Sequence, residues 1–211
     1  MKKSLLISIQ PQWLYKILNG DKTCEVRKVV PKWVLEALDR GETVEAYLYC
    51  TKGKPYLYYN FGNKEYVLCD DKNNVTYYDS DYQKVMGSNL INGTISVKVV
   101  IDGYVKYVDC SDCTNNENGY ECQNDFMYLL SVDPILRKET CLTSDEIEDY
   151  GNGKDLYALH ISKVEILDEP KTLMEFYKMH ISKTIDNVKT GLYLPVTKAP
   201  QNMMSVWVKG E

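Results

Sequence analysis

The chain has 211 residues, 44% of them hydrophobic and 26% charged, with a net charge of −5. Those values describe an ordinary soluble globular chain, either one domain with an insertion or two small ones. They exclude an apolar run of membrane-spanning length and, taken over the whole chain, the basic footprint of a non-specific nucleic-acid binder. Met1-Lys2-Lys3 leads straight into a strand-like run rather than an apolar signal segment, and seven cysteines without such a segment read as reduced thiols. A cytoplasmic protein is the expectation.

Residues 4–9 alternate weakly and predict a strand. Pro11-Gln12-Trp13-Leu14-Tyr15-Lys16-Ile17-Leu18-Asn19 places apolar residues at 13, 14, 17 and 18, the spacing of a helix. Pro11 suits a first helical position, and Asn19-Gly20 suits a left-handed cap. An extended run follows, in which Glu25 and Arg27 share one face while Cys24, Val26 and Lys28 share the other. Pro31 and Gly41 bracket a second helix over 31–40, and 43–51 alternates as a strand.

From 52 to about 92 the composition turns to Tyr, Asn, Gly and Asp. Turn signals at Gly62-Asn63, Lys72-Asn73-Asn74 and Gly87-Ser88-Asn89 predict a β-hairpin excursion inserted at about 53–92. Residues 93–109 predict a long strand, bent or broken at Asp102-Gly103. A polar, Cys-containing loop at about 109–123 and a strand at 125–132 come next. Thr143-Ser144-Asp145-Glu146 is a capping-box pattern for a short helix ending at Gly151, and Thr172-x-x-Glu175 caps another. Residues 156–167 form the clearest strand of the second half, 181–198 read as a loop, and 203–208 close the chain as a strand. Many short strands with a few short helices between them predict a single α+β domain over 1–211.

The charge is unevenly placed. Residues 1–32 hold seven Lys or Arg against two Asp or Glu, and 171–211 hold six against three. Residues 109–150 hold two against eleven. If the two ends pack together, they form a local positive face able to attract phosphate. Lys22, Glu25 and Arg27 gather a cation, a carboxylate and a guanidinium in a short run, which is a candidate polar-ligand site as well as an ordinary surface ion pair.

That run, Gly-x-Lys-x-x-Glu-x-Arg after a short amphipathic helix, resembles the signature of ASCH domains, small β-barrels of the PUA-like superfamily associated with RNA. Ser4-Leu5-Leu6-Ile7-Ser8-Ile9-Gln10-Pro11 resembles the family's opening strand, and Val44-Glu45-Ala46-Tyr47-Leu48-Tyr49-Cys50-Thr51-Lys52 its second core strand. Cys141-Leu142-Thr143 with Leu156-Tyr157-Ala158-Leu159-His160-Ile161-Ser162 resembles the late strand of phage-type members. Pro170-Lys171-Thr172-Leu173-Met174-Glu175-Phe176 and Ala199-Pro200-Gln201-Asn202-Met203-Met204 resemble that group's closing segments. The match covers about the first 52 and last 70 residues in order. With only three arginines and many Tyr, Asn and Ile, the composition suits an AT-rich genome such as that of a low-GC bacterium or its phage.

The resemblance implies a PUA-like β-barrel with short flanking helices and a β-hairpin insertion. It also implies a cleft built on Lys22, Glu25 and Arg27, walled by Thr51, Lys52 and Gln201, that binds RNA or a modified nucleotide. There Lys22 would meet a phosphate or act as a base or nucleophile, and Glu25 would accept from an exocyclic amine or move a proton. Arg27 would orient Glu25. Two alternatives stand beside binding. One is a hydrolase acting at the same cleft on RNA or an acylated nucleobase, with Lys22 and Glu25 catalytic. The other is a phage protein-interaction module. Related amidohydrolases carry a threonine where Cys24 stands here, so a Cys24 nucleophile is a further, minor reading. Asn202-Met203 replaces the group's usual Ser-Trp, and Leu159 replaces a tryptophan, which removes aromatic surface for base stacking. Trp13 or one of the tyrosines could substitute, although the tyrosines read mainly as strand packing.

Cys110-x-x-Cys113 with Cys122 and Cys141 could hold zinc, but no second Cys-x-x-Cys pair accompanies them, so reduced loop thiols and no cofactor are expected. His160 reads as a hydrogen-bonded core residue and His180 as a surface one. No nucleotide-binding loop and no serine-nucleophile order is present.

Overall fold

The computed structural model describes residues 1–60, 65–70, 90–107, 115–116, 119–120, 134–181 and 191–208. The chain divides into two compact units: residues 1–19, 44–100 and 163–211 form the first, and 20–43 with 101–162 the second.

The first unit is built on β1 (Lys2–Ile9), which enters α1 (Pro11–Leu18) through Pro11 at the helix start. Leu14 and Ile17 form its buried face, as the sequence spacing requires. β3 (Val44–Cys50) lies parallel to β1, with Leu5 opposite Ala46 and Ile9 opposite Cys50. β4 (Tyr56–Asn60) and β5 (Glu65–Cys69) pair antiparallel as a hairpin inside the 53–92 segment, and α1 packs against both. Residues 61–64 and 71–89 of that segment lie outside the described residues.

β6 (Ile95–Tyr107) and β9 (Leu156–Lys171) are long, and the first unit contains β6 up to Val100 and β9 from Lys163. A 3-10 turn at Leu173–Glu175, capped reciprocally by Thr172 and Glu175, leads into β10 (Phe176–Ile181), β11 (Gly191–Pro195) and β12 (Met203–Val208). The strand order is β11-β10-β12-β1-β3-β6-β9. Two expectations fail here. Residues 191–195 are a strand rather than loop, because β10 supplies a full antiparallel ladder from Tyr177–Pro195 to Ile181–Gly191. Among the described residues this order does not return to β11, so the sheet is open and not a closed barrel. β11 is short and ends on Pro195, which has no N–H to donate, and both features belong to an edge strand.

The core of this unit gathers Leu6, Tyr47, Tyr49, Ile95, Phe176, Val196, Val206 and Val208. Tyr47 and Phe176 meet edge to face, with ring centroids 4.9 Å apart.

In the second unit, β2 (Cys24–Arg27) pairs antiparallel with β9, and α2 (Lys32–Asp39) buries Val34, Ala37 and Leu38. The second half of β6 lies between Ile101 and Tyr107. Contacts from β6 run to His160 and Tyr157 of β9 and to Asp155 just before it, from Asp102, Tyr104 and Lys106 in turn, so those strands are antiparallel. β7 (Asn115–Asn116) and β8 (Gly119–Tyr120) form a two-rung ladder in the 109–123 segment. The strand expected at 125–132 lies outside the described residues. α3 (Pro134–Thr140) and α4 (Ser144–Gly151) pack Leu136 and Ile147 onto Cys24, Val26, Tyr107, Leu156 and Ala158. The capping box at α4 is complete: the Glu146 N–H donates to Thr143 Oγ1 at 3.2 Å, and the Thr143 N–H to Glu146 Oε2 at 2.8 Å. Among the described residues no helix is long and apolar enough to cross a membrane.

Truncating Phe176 to Ala removes a fully buried ring from the first core and should destabilise the protein by roughly 3–5 kcal/mol in urea unfolding. A loss below about 1 kcal/mol would mean that this core does not carry the unit.

Candidate functional site

Gly20 adopts φ +78°, the left-handed conformation that a residue with a side chain rarely takes, and turns the chain toward β2. β2 is only four residues long, yet it is held at both sides. The Ile161 N–H donates to the Thr23 carbonyl at 2.8 Å on the β9 side, and the Thr23 N–H donates to the Glu139 carbonyl at 2.8 Å on the α3 side.

Strand alternation then sorts the side chains. Cys24 and Val26 enter the second unit's core, while Glu25 and Arg27 take the opposite face, with Leu159 and Tyr157 as their direct cross-strand partners. Arg27 Nη2 meets Glu25 Oε1 at 2.7 Å, and Lys22 Nζ lies 3.4 Å from Glu25 Oε2. Lys22 also donates to the carbonyl of Thr140 at 2.8 Å, where a cation complements the negative C-terminal end of α3. Lys22, Glu25 and Arg27 are only 4%, 8% and 8% exposed. The three charges are therefore one buried cluster rather than a surface ion pair.

Thr51, Lys52 and Gln201 belong to the first unit. The Thr51 N–H donates to the Ile9 carbonyl at 2.9 Å, at the end of β1. Lys52 is exposed and its stem lies against Gly93. Gln201 is exposed beside Pro200 and Asn202, whose carbonyls accept from the Ser8 hydroxyl at 2.6 Å and the Ser8 N–H at 3.1 Å. Thr51 and the closing segment thus both fasten onto the last residues of β1.

Cys24 is unsuited to nucleophilic attack. Burial pushes its thiol up to about 12, and the Glu139 carboxylate, which accepts from Sγ at 3.4 Å, adds to the rise against a smaller opposing pull from Lys22. A thiol held this way stays protonated at neutral pH. His160 departs from expectation: it is not in the core but 47% exposed, and Asp102 Oδ1 satisfies its Nδ1 at 2.6 Å. His180 is exposed, as the sequence suggested. Of the candidate zinc ligands, Cys110, Cys113 and Cys122 lie outside the described residues. Cys141 is a free thiol whose Sγ donates to the Asp21 carbonyl at 3.2 Å. Among the described residues no group of three His, Cys, Asp or Glu is placed to hold a metal.

Sequence reasoning missed α3, and with it Glu139 and Thr140, the two residues whose carbonyls hold β2 and Lys22. Pro134 at a first helical position, followed by Leu136 and Thr140 at i, i+4 spacing, was the available signal.

Two outcomes follow from this geometry. Glu25→Ala removes the carboxylate that meets both cations and should cost roughly 3–5 kcal/mol of stability in denaturant titration. A cost near zero would mean the cluster is solvated in solution. Separately, an unfolded thiol ionises near 9 whereas that of Cys24 holds its proton to about 12. Its contribution is complete below pH 9 and is lost as pH rises toward 12. Stability should fall across that window, and less steeply in Cys24→Ala; equal slopes in the two proteins would contradict the assignment.

No protein-family model matches the chain, and no curated protein matches it. Among solved structures it is similar to the ASCH protein of Zymomonas mobilis. A crystal structure of one variant of that protein aligns with 13% identity and a TM-score of 0.46, over 98% of this chain and 89% of the other. A second variant gives 13% and 0.46 over 99% and 92%, and a further structure 11% and 0.42 over 98% and 88%. At those values the likeness assigns neither residue roles nor an activity to this chain.

Proposed function

We propose that this chain is an ASCH-type, PUA-like protein of the phage kind that binds RNA or a modified nucleotide through Lys22, Glu25 and Arg27. The observation that carries the reading is the burial of three ionic side chains in one contact cluster. Desolvating such groups costs stability, and an apolar set would pack the same face more cheaply. Charge retained at that cost points to a role beyond packing. The order of motifs along the chain, from the opening strand to the closing segment, supports the family half of the proposal.

Arg27 fixes one oxygen of Glu25, which leaves the carboxylate in a defined orientation to accept from the exocyclic amine of a base. Lys22 holds the other oxygen and is itself fixed by α3. Thr51, Lys52 and Gln201 are candidate ligand contacts on the resemblance alone. A second reading is hydrolysis of an acylated base or of RNA at the same cluster. It is favoured by the 3.4 Å contact of Lys22 with Glu25, which sets a cation beside a carboxylate of the kind that moves protons in hydrolysis. Cys24 has no part in either.

The test is mass spectrometry of RNA oligonucleotides, some carrying N4-acetylcytidine, after incubation with the wild type and Lys22→Ala, together with binding measured by fluorescence anisotropy. Binding that drops roughly tenfold or more in Lys22→Ala and Arg27→Lys, and that weakens steeply with salt, is the expected result. Loss of an acetyl group or chain cleavage that disappears in Lys22→Ala would make the protein an enzyme. Unchanged RNA together with affinity indifferent to all three residues would sink both readings.

A further inference from the structure

The two basic segments of the chain come together in the first unit: β1 pairs with β12, and β12 with β10. The four strands β1, β10, β11 and β12 contain Lys2, Lys3, Lys178 and His180 and not a single Asp or Glu. Alternation divides them between two faces: Lys3 lies on one, and Lys2, paired with Glu45 at 2.8 Å, lies with Lys178 and His180 on the other.

One face of those strands is also aromatic. Lys3 lies directly opposite Trp207, Trp207 opposite Tyr177, and Tyr177 opposite Pro195, so four adjacent strands place one residue each in a single cross-strand row. With strands about 4.8 Å apart the row is about 14 Å long. Tyr193, opposite Met179 in the next row, sets its ring edge against Trp207 with centroids 5.4 Å apart. The Lys3 ammonium sits 5.9 Å from the centre of the Trp207 ring. Phe176, Val206 and Val208 take the opposite face and fill the core. This face is turned outward: Lys3 is exposed, Tyr193 is 40% exposed and Met179 42%, while Trp207 and Tyr177 are half-buried.

We infer that this ledge is a binding surface for single-stranded nucleic acid, on which bases stack against Trp207, Tyr177 and Tyr193 while Lys3 meets a phosphate. Stacking needs an unpaired base, because in a duplex the π-faces are already covered. Lys3 is the one charged residue of the four strands that the register places on this face, with no carboxylate of those strands beside it, and a cation bordered by exposed rings suits a polyanion with unpaired bases rather than a basic peptide. The inference does not depend on the Lys22 cluster, since every residue of the ledge belongs to the first unit and Lys22, Glu25 and Arg27 belong to the second.

Fluorescence anisotropy with a labelled oligouridylate of about 12 nucleotides tests it, using the full chain. The wild type should bind. Tyr193→Ala and Trp207→Phe should each weaken binding, Tyr193→Ala by roughly five- to hundredfold, the range of one lost base–aromatic stack. Lys3→Glu should weaken it further and lower the salt slope by about one. Tyr193 is exposed, so its variant reads the ledge even if larger changes at Trp207 perturb folding. The ledge is overturned if the wild type ignores the oligonucleotide or binds the matching duplex equally well. It is overturned too if Tyr193→Ala and Trp207→Phe bind as the wild type does, or if a proline-rich peptide binds in place of nucleic acid. Should Lys22→Ala alone abolish binding, the function proposed above stands and the ledge falls. Should the ledge variants alone do so, the reverse holds.

Discussion

A carboxylate gripped on both oxygens organises the second unit. Glu25 can hold its place only because Arg27 reaches it from the next same-face position of β2 and Lys22 from the turn before the strand. Lys22 in turn is held by the Thr140 carbonyl, so the end of α3, the start of β2 and the charged cluster are one mechanical unit. The opposite face of the same four residues sends Cys24 and Val26 into a core that α3 and α4 close with Leu136 and Ile147. A strand this short has few hydrogen bonds of its own, and burial on one face with ionic contact on the other makes up the difference.

In the first unit the equivalent constraint is the position of β1. It runs parallel to β3 on one side and antiparallel to β12 on the other, so the opening and closing parts of the chain become neighbours. That pairing brings two separate basic segments together and aligns Lys3, Trp207, Tyr177 and Pro195. The chain's overall acidity therefore says little about what its surface can attract, because the acidic excess lies in residues 109–150. The open sheet has a further consequence. It leaves β11 as an edge, where Leu192 and Tyr193 stand exposed, whereas a closed barrel would have covered one side of that strand.

Much of the local structure was legible. α1 and α2 follow from apolar spacing bracketed by Pro and Gly, and α4 from its capping box, because each signal acts within a few residues. The shared face of Glu25 and Arg27 follows from the period of two in a strand. β11 reads as loop in the sequence because Gly191-Leu192-Tyr193-Leu194-Pro195 has no alternation of its own, and only the ladder to β10 holds it extended. His160 reads as a core residue because its neighbours along β9 are apolar, but Asp102, which satisfies it, comes from another strand.

The sequence by itself determined which residues alternate, where helices start and stop, and that a cation, a carboxylate and a guanidinium fall within six positions. Backbone periodicity and capping are short-range, so a local window contains all the information they need. Tertiary structure decided that Lys22 is fixed by a carbonyl 118 positions away, that Ser8 meets Pro200 across 192, and that Trp207 lies between Lys3 and Tyr177. Those neighbours depend on strand order and register, which arise from the burial of whole faces against one another and are not encoded in any short stretch of chain.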